Sequence, residues 1–220
     1  MLPGIDDGAV TVEESLSYFK AMQEWGYHKC ICTPHIFRGV HNNSAATILP
    51  ALEKMRAALA EASITLNIDA AAEYMVDESF MDLLNNNTPL LTIAGKYVLI
   101  EMSYAAPSPY LENAIFKLNI QGYKPILAHP ERYSYFHHQL DYYDRLLEMG
   151  CIFQVNLLSL SGYYGMPVKK FALKMLKQNM FALIGTDLHH HNHKDAIKAF
   201  AVTKECYEII RQIPLLNQQL

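Results

Sequence analysis

The chain has 220 residues, 51% of them hydrophobic and 18% charged, with a formal charge of -4 at neutral pH. That composition suits one globular domain over residues 1–220 with a full core, and it excludes a disordered or fibrous chain. The acidic balance leaves no basic footprint for nucleic acid or an anionic membrane surface, and no apolar run approaches the roughly 20 residues that cross a bilayer.

In chain order, the start Met1-Leu2-Pro3-Gly4-Ile5-Asp6-Asp7 has neither the basic stretch nor the apolar core of a secretory signal. Thr11 with Glu14 three residues later has the form of a capping box. Leu16, Phe19, Met22 and Trp25 then recur at helical spacing until Gly26 ends the helix. An apolar run covers 29–33, and a helix covers 47–62 with Pro50 in its first turn. The alternation continues with a run at 66–72, a short helix at 78–84, a run at 97–100 and a helix at 111–121. It closes with runs at 125–128, 152–155 and 181–184 and helices at 140–149, 168–178 and 195–213. The runs are four to seven residues long and do not alternate strictly, which is how buried parallel strands read. Short strands alternating with helices predict an α/β fold, with a parallel sheet or barrel. Cys30, Cys32, Cys151 and Cys206 show no framework spacing and read as reduced thiols of a cytoplasmic protein.

Each apolar run is followed by a residue of one chemical kind. His35 follows the first, then Glu73, Glu101, His129, Asn156, and finally Asp187 with His189. In a (β/α) barrel the C-terminal strand ends converge on one mouth, where active sites lie. A single histidine or acid in such a place is ordinarily a loop, core or surface residue. Six consecutive strand ends in register are not explained by loop solvation. Imidazole plus carboxylate, without thiolate, suits divalent metals of borderline hardness. Glu73, Glu101 and Asp187 would also crowd like charges into one mouth, an arrangement that cations relieve. Such a cluster can activate water and clamp a phosphoryl group. Asp7 reads equally as a turn residue of Asp6-Asp7-Gly8, Asp6 as turn chemistry, and Asn156 as a cap of the next turn. His190, His191 and His193 extend a loop and read as solvated, with one in reach of substrate at most. Cys32 and Arg38 match Cys-x5-Arg, the pattern of thiol-dependent tyrosine phosphatases. The intervening segment holds Pro34 and no Gly, so it cannot offer the free backbone N–H groups that cradle phosphate, and the match reads as chance.

These residues resemble the PHP (polymerase and histidinol phosphatase) superfamily, and within it the CpsB/YwqE-type bacterial protein-tyrosine phosphatases. The matching segments are Leu2–Ala9, Thr33–His35, Ala72–Tyr74, Glu101–Met102, Ala128–Tyr133 and Thr186–His189, in family order across nearly the whole chain. The resemblance implies a distorted barrel of seven strands with metals at its mouth. It matches Asp7, His35, Glu73, Glu101, His129, Asp187 and His189 to metal ligands, and Arg132 to a residue that contacts phosphate. An arginine there supplies a planar fork, although Arg132 read alone is equally a surface ion-pair partner. His189 is the candidate general acid if the leaving group needs one. Two or three divalent ions are implied, Mn by resemblance, with Fe or Zn compatible. The implied substrate is phosphotyrosine on a bacterial tyrosine kinase that controls capsule or exopolysaccharide assembly. The family begins with a strand ending in His-x-His, just before the segment that opens this chain. The sequence therefore predicts that Met1 is an internal Met of a longer protein, and that the chain as given binds metal weakly and has low activity. Two other functions fit the same residues: a PHP phosphoesterase for a small phosphate monoester, and a non-catalytic binder of phosphorylated protein.

Overall fold

The computed structural model describes residues 1–219. In chain order the elements are α1 (Val12–Glu24), β1 (Lys29–Cys32), β2 (His35–Ile36), α2 (Ala45–Glu61), β3 (Asn67–Ala70), β4 (Glu73–Met75), α3 (Glu78–Asn85), β5 (Tyr97–Glu101), α4 (Leu111–Ile120), β6 (Lys124–Ala128), α5 (Leu140–Glu148), β7 (Ile152–Asn156), α6 (Leu157–Ser161), α7 (Met166–Lys177), β8 (Phe181–Gly185), α8 (His191–Ala201) and α9 (Lys204–Ile210). All strand pairings between these elements are parallel, with β1 on β3 and a sheet ordered β2-β4-β5-β6-β7-β8. Backbone bonds from Ala71 N to Cys32 O and from Glu73 N to Pro34 O carry the β1–β3 ladder into the β2–β4 ladder. The two therefore act as one broken pair of strands. This is the α/β architecture with a parallel sheet that the alternating pattern predicts.

Side-chain parity divides the core. Val98 and Ile100 join the large cluster between the sheet and the helices, while Leu99 joins a small one with Ala71, Ile93, Ile126, Ala128 and Leu183. Successive residues of a strand face opposite sides, so apolar residues at every position mean that both faces are buried.

Several boundaries move. The run at 66–72 holds β3 alone, and Glu73, expected to follow the strand, opens a second strand, β4. A short helix, α6, follows β7 directly, with Asn156 as its cap. The expected last helix at 195–213 is two helices, because the Thr203 hydroxyl accepts from Cys206 N and starts α9 afresh. At α1 the Thr11 hydroxyl accepts from Glu14 N as expected. The Glu14 carboxylate, however, accepts from Val10 N instead of closing the box on Thr11.

With the two ladders taken together, two edges are covered by no strand among the described residues, one along β1 and β2 and one along β8. A cavity of about 300 Å³ lies between them, lined by Lys29 to Pro34 on one side and Leu183 to His189 on the other. One edge position is filled by a side chain. Asn217 Oδ1 accepts from Ile184 N at 3.0 Å, and Asn217 Nδ2 donates to Ile184 O at 2.9 Å. No helix of the described residues is long and apolar enough to cross a membrane. All four cysteines are free and buried.

Candidate metal centre

Strand register brings the predicted residues together. His35 pairs with Glu73, and Glu73 pairs with Leu99. Glu101 is two residues beyond Leu99, so it shares that residue's inward face. His129 and Asp187 follow β6 and β8 in left-handed backbone conformations, with φ of 34° and 49°. That region costs a non-glycine residue on the order of 1–3 kcal/mol, and such strain gathers at functional sites. Two residues before Asp187, a Cβ added at Gly185 would strike the Gln154 side chain, which would have to swing away.

Two groups of three potential ligands result, Asp7 with His35 and His189, and Glu73 with Glu101 and His129. In the first group Asp7 Oδ1 lies 3.3 Å from His35 Nδ1 and 3.4 Å from His189 Nε2. In the second, His129 Nε2 lies 3.3 Å from Glu73 Oε1 and 3.9 Å from Glu101 Oε2. His35 bridges the groups, with its Nε2 3.6 Å from Glu101 Oε1. Asp187 belongs to neither group of three. Its Oδ2 accepts from Arg132 Nη1 at 2.9 Å and from Asn156 Nδ2 at 2.8 Å, while its Oδ1 lies 3.3 Å from His189 Nδ1. All eight predicted site residues thus sit in one connected network, and Arg132 is no detached surface residue.

The electrostatics follow from crowding. Burial and the Glu73 charge push Glu101 up to about 7. For His35, burial works against charging, but Asp6, Asp7 and the two glutamates outweigh it and raise the imidazole to about 11. For His189 burial again opposes, and Asp7 and Asp187 raise it to about 9. His129 is raised as well, against its burial, by its contact with Glu73. Hydrogen bonds from His189 and His35 hold Asp7 far below the usual carboxylate range. Protons on imidazole therefore hold together a set of acids that would otherwise repel one another.

The donor set fits divalent cations. It is imidazole and carboxylate without thiolate, which matches metals of borderline hardness. Buried His35 Nδ1 and Glu73 Oε1 also make no well-aligned hydrogen bond, only ion-pair contacts at 3.3 Å. Unsatisfied buried acceptors and donors are uncommon and call for an occupant such as an ion.

Sequence reasoning missed several residues. Asp6 is both the expected turn residue, accepting from Gly8 N, and a neighbour of His35 Nδ1 at 3.5 Å. His193 is buried rather than solvated, and its Nδ1 lies 3.1 Å from Asp187 O. His190 caps α8 by accepting from His193 N. The Arg132 guanidinium carbon lies 4.5 Å from the Tyr104 ring centre and 4.0 Å from that of Tyr164. Tyr133 and Tyr143, by contrast, are fully buried core residues. Only the Asx-capping habit of Asn156 was visible locally. Cys32 is buried while Arg38 is exposed, so no thiol–arginine pair exists there.

The family model described as "Capsular polysaccharide synthesis, CpsB/CapC" matches residues 1–212. The tyrosine-protein phosphatase YwqE of Bacillus subtilis (strain 168) is 28% identical over 190 residues, 86% of this chain and 75% of that protein. The tyrosine-protein phosphatase CpsB of Streptococcus agalactiae serotype V is 25% identical over 212 residues, 94% of this chain and 85% of that protein. Among solved structures, a chain from the crystal structures of YwqE from Bacillus subtilis and CpsB from Streptococcus pneumoniae, described as unique metal-dependent tyrosine phosphatases, superposes with a TM-score of 0.81. It is 25% identical, and the match covers 96% of this chain and 88% of that one.

Proposed function

The chain belongs to the CpsB/CapC family of capsular polysaccharide synthesis, and from that membership and the geometry of the site we propose that it is a metal-dependent protein-tyrosine phosphatase. The observation that carries the reading is the pair of abutting ligand groups joined through His35. Two such groups side by side are what a phosphate monoesterase of this type needs to grip one phosphoryl group. Asp7, His35 and His189 would hold one divalent ion, and Glu73, Glu101 and His129 another, with Asp187 between His189 and Arg132. Bound divalent ions, Mn by likeness to the family, supply Lewis-acid polarisation of the phosphoryl oxygens and lower the pKa of water.

The chain's own residues do the rest. Arg132 presents a guanidinium whose one hydrogen bond among the described residues is Nη1 to Asp187. Its remaining N–H groups are left for phosphoryl oxygens, where charge grows as the ester bond breaks. His189 is the candidate to hold a proton near the leaving oxygen. A phenolate leaves more readily than an alkoxide, so that demand is modest. No nucleophilic side chain is required, and the Cys32 thiol is buried with no arginine beside it. The natural substrate is proposed to be phosphotyrosine on a bacterial tyrosine kinase of capsule or exopolysaccharide assembly.

The test is hydrolysis of a phosphotyrosine peptide with Mn, with and without EDTA, beside phosphoserine and small-monoester panels. Release of phosphate from phosphotyrosine that EDTA abolishes is the expected result. Binding of the peptide without turnover at excess Mn would overturn the catalytic reading in favour of a phosphoprotein-binding role. Preference for a small monoester would overturn the substrate.

A further inference from the structure

We infer that Tyr104 and Tyr164 are positioning residues that clamp the Arg132 guanidinium so that its free edge is held toward the phosphoryl group, an inference that rests on the phosphatase reading above. The two ring centres lie 4.5 and 4.0 Å from the guanidinium carbon. No ring contact joins the two tyrosines to each other, although aromatic pairs out to 6.4 Å occur elsewhere. The rings therefore approach the cation from different sides.

A clamp is needed at this place. Arg132 reaches the site on a long flexible stem, and Asp187 holds it through a single charge-assisted hydrogen bond of 2.9 Å. Unrestrained, the guanidinium could turn its whole fork onto that carboxylate and present nothing to an anion. Two aromatic faces fix its plane, because a delocalised planar cation stacks on the negative faces of aromatic rings. Its contact with Asp187 then stays at one nitrogen. The rings are themselves anchored to the same network. Tyr104 Oη lies 3.3 Å from His129 Nε2, and Tyr164 Oη accepts from Asn156 Nδ2 at 3.4 Å. Asn156 Nδ2 also donates to Asp187, so the carboxylate and one wall of the clamp share a support. Tyr104 is 46% exposed and Tyr164 is half-buried, so replacing either leaves the core intact.

The test is a double-mutant cycle on the full chain. Tyr164→Ala, Tyr164→Phe, Tyr104→Leu and Tyr104→Phe are made alone and with Arg132→Ala. Two quantities are read: the dissociation constant of inorganic phosphate by calorimetry, and kcat and KM on a phosphotyrosine peptide with Mn. Tyr164→Ala and Tyr104→Leu should each weaken phosphate binding and raise KM by roughly tenfold, with a smaller fall in kcat. The phenylalanine variants keep the ring face and lose only the hydroxyl anchor, so they should be impaired clearly less, by no more than about threefold. In the Arg132→Ala background, either tyrosine loss should change phosphate binding by less than about twofold. Equal losses with and without Arg132 would show that the rings act on their own and would overturn the clamp, as would phenylalanine variants as impaired as Tyr164→Ala and Tyr104→Leu. If the chain binds phosphate with this pattern but hydrolyses no phosphotyrosine, the phosphatase reading fails and the clamp stands. If hydrolysis is normal and the cycle is additive, only the clamp fails.

Discussion

At the scale of single residues, the site is a set of acids and imidazoles whose proton affinities are set by one another. Burial and Glu73 lift Glu101 to about 7, and the surrounding carboxylates lift His35 to about 11 and His189 to about 9. A group whose affinity is raised in the folded chain stabilises the fold below its unfolded value, and that stability is lost as pH climbs through the folded value. For His189 the window runs from its ordinary 6.5 up to about 9, and for Glu101 from 4.5 up to about 7. Asp7 works the other way, its contribution being lost as pH falls below its ordinary 3.8. The metal-free chain should therefore melt highest at mildly acidic pH and lose thermal stability steadily toward pH 9. Melting curves with and without Mn check this. Bound metal takes over the protons' role, so the alkaline loss should shrink when Mn is present, and an unchanged slope would contradict the assignment. Arg132→Ala should cost on the order of 10²–10³-fold in kcat/KM, as loss of one donor to developing charge does. Cys32→Ser should leave hydrolysis of phosphotyrosine in place, and its loss in a folded variant would revive the thiol reading.

At the scale of elements, caps and edges decide where each segment begins and stops. Thr11 holds α1 through Glu14 N, and Thr11→Ala should lower stability by about 1 kcal/mol in denaturant unfolding. On β8 the Asn217 amide satisfies both backbone groups of Ile184, as a neighbouring strand would. Asn217→Ala should cost about 1–2 kcal/mol and speed amide exchange at Ile184, because an edge donor and acceptor then lose their partners. The apolar runs revealed six of the eight described strands, because strands buried on both faces are apolar at successive positions, and missed the short β2 and β4. The break between β3 and β4, which makes Glu73 part of a strand, was not legible. It depends on which carbonyls of the preceding strand, Cys32 and Pro34, are available to pair. The split of the last helix was equally hidden, since Thr203 is a single hydroxyl in a periodic stretch, and it takes the Cys206 N–H in place of a continuing helix.

At the scale of the whole molecule, folding gathers residues from position 7 to position 189 into one network, and metal should stabilise that network as a unit. Mn at about 100 times its dissociation constant should stabilise the chain by roughly 2.7 kcal/mol, a rise of about 5–10 °C in Tm for a chain of this size. EDTA should reverse it. The sequence by itself determined the kinds of ligand and their order along the chain. Every strand of a parallel sheet ends at the same rim, so a chemical type repeated after each apolar run already implies a common site. The tertiary structure decided which potential ligands lie within reach of one another. It set Asp7 with His35 and His189 rather than with Glu73, which is a matter of register between strands far apart in sequence. It also decided the surroundings, placing Tyr104, Tyr164, Asn156 and His193 around Arg132 and Asp187. No periodicity marks such residues, because their roles come from distance in space and from the burial that strengthens each charge.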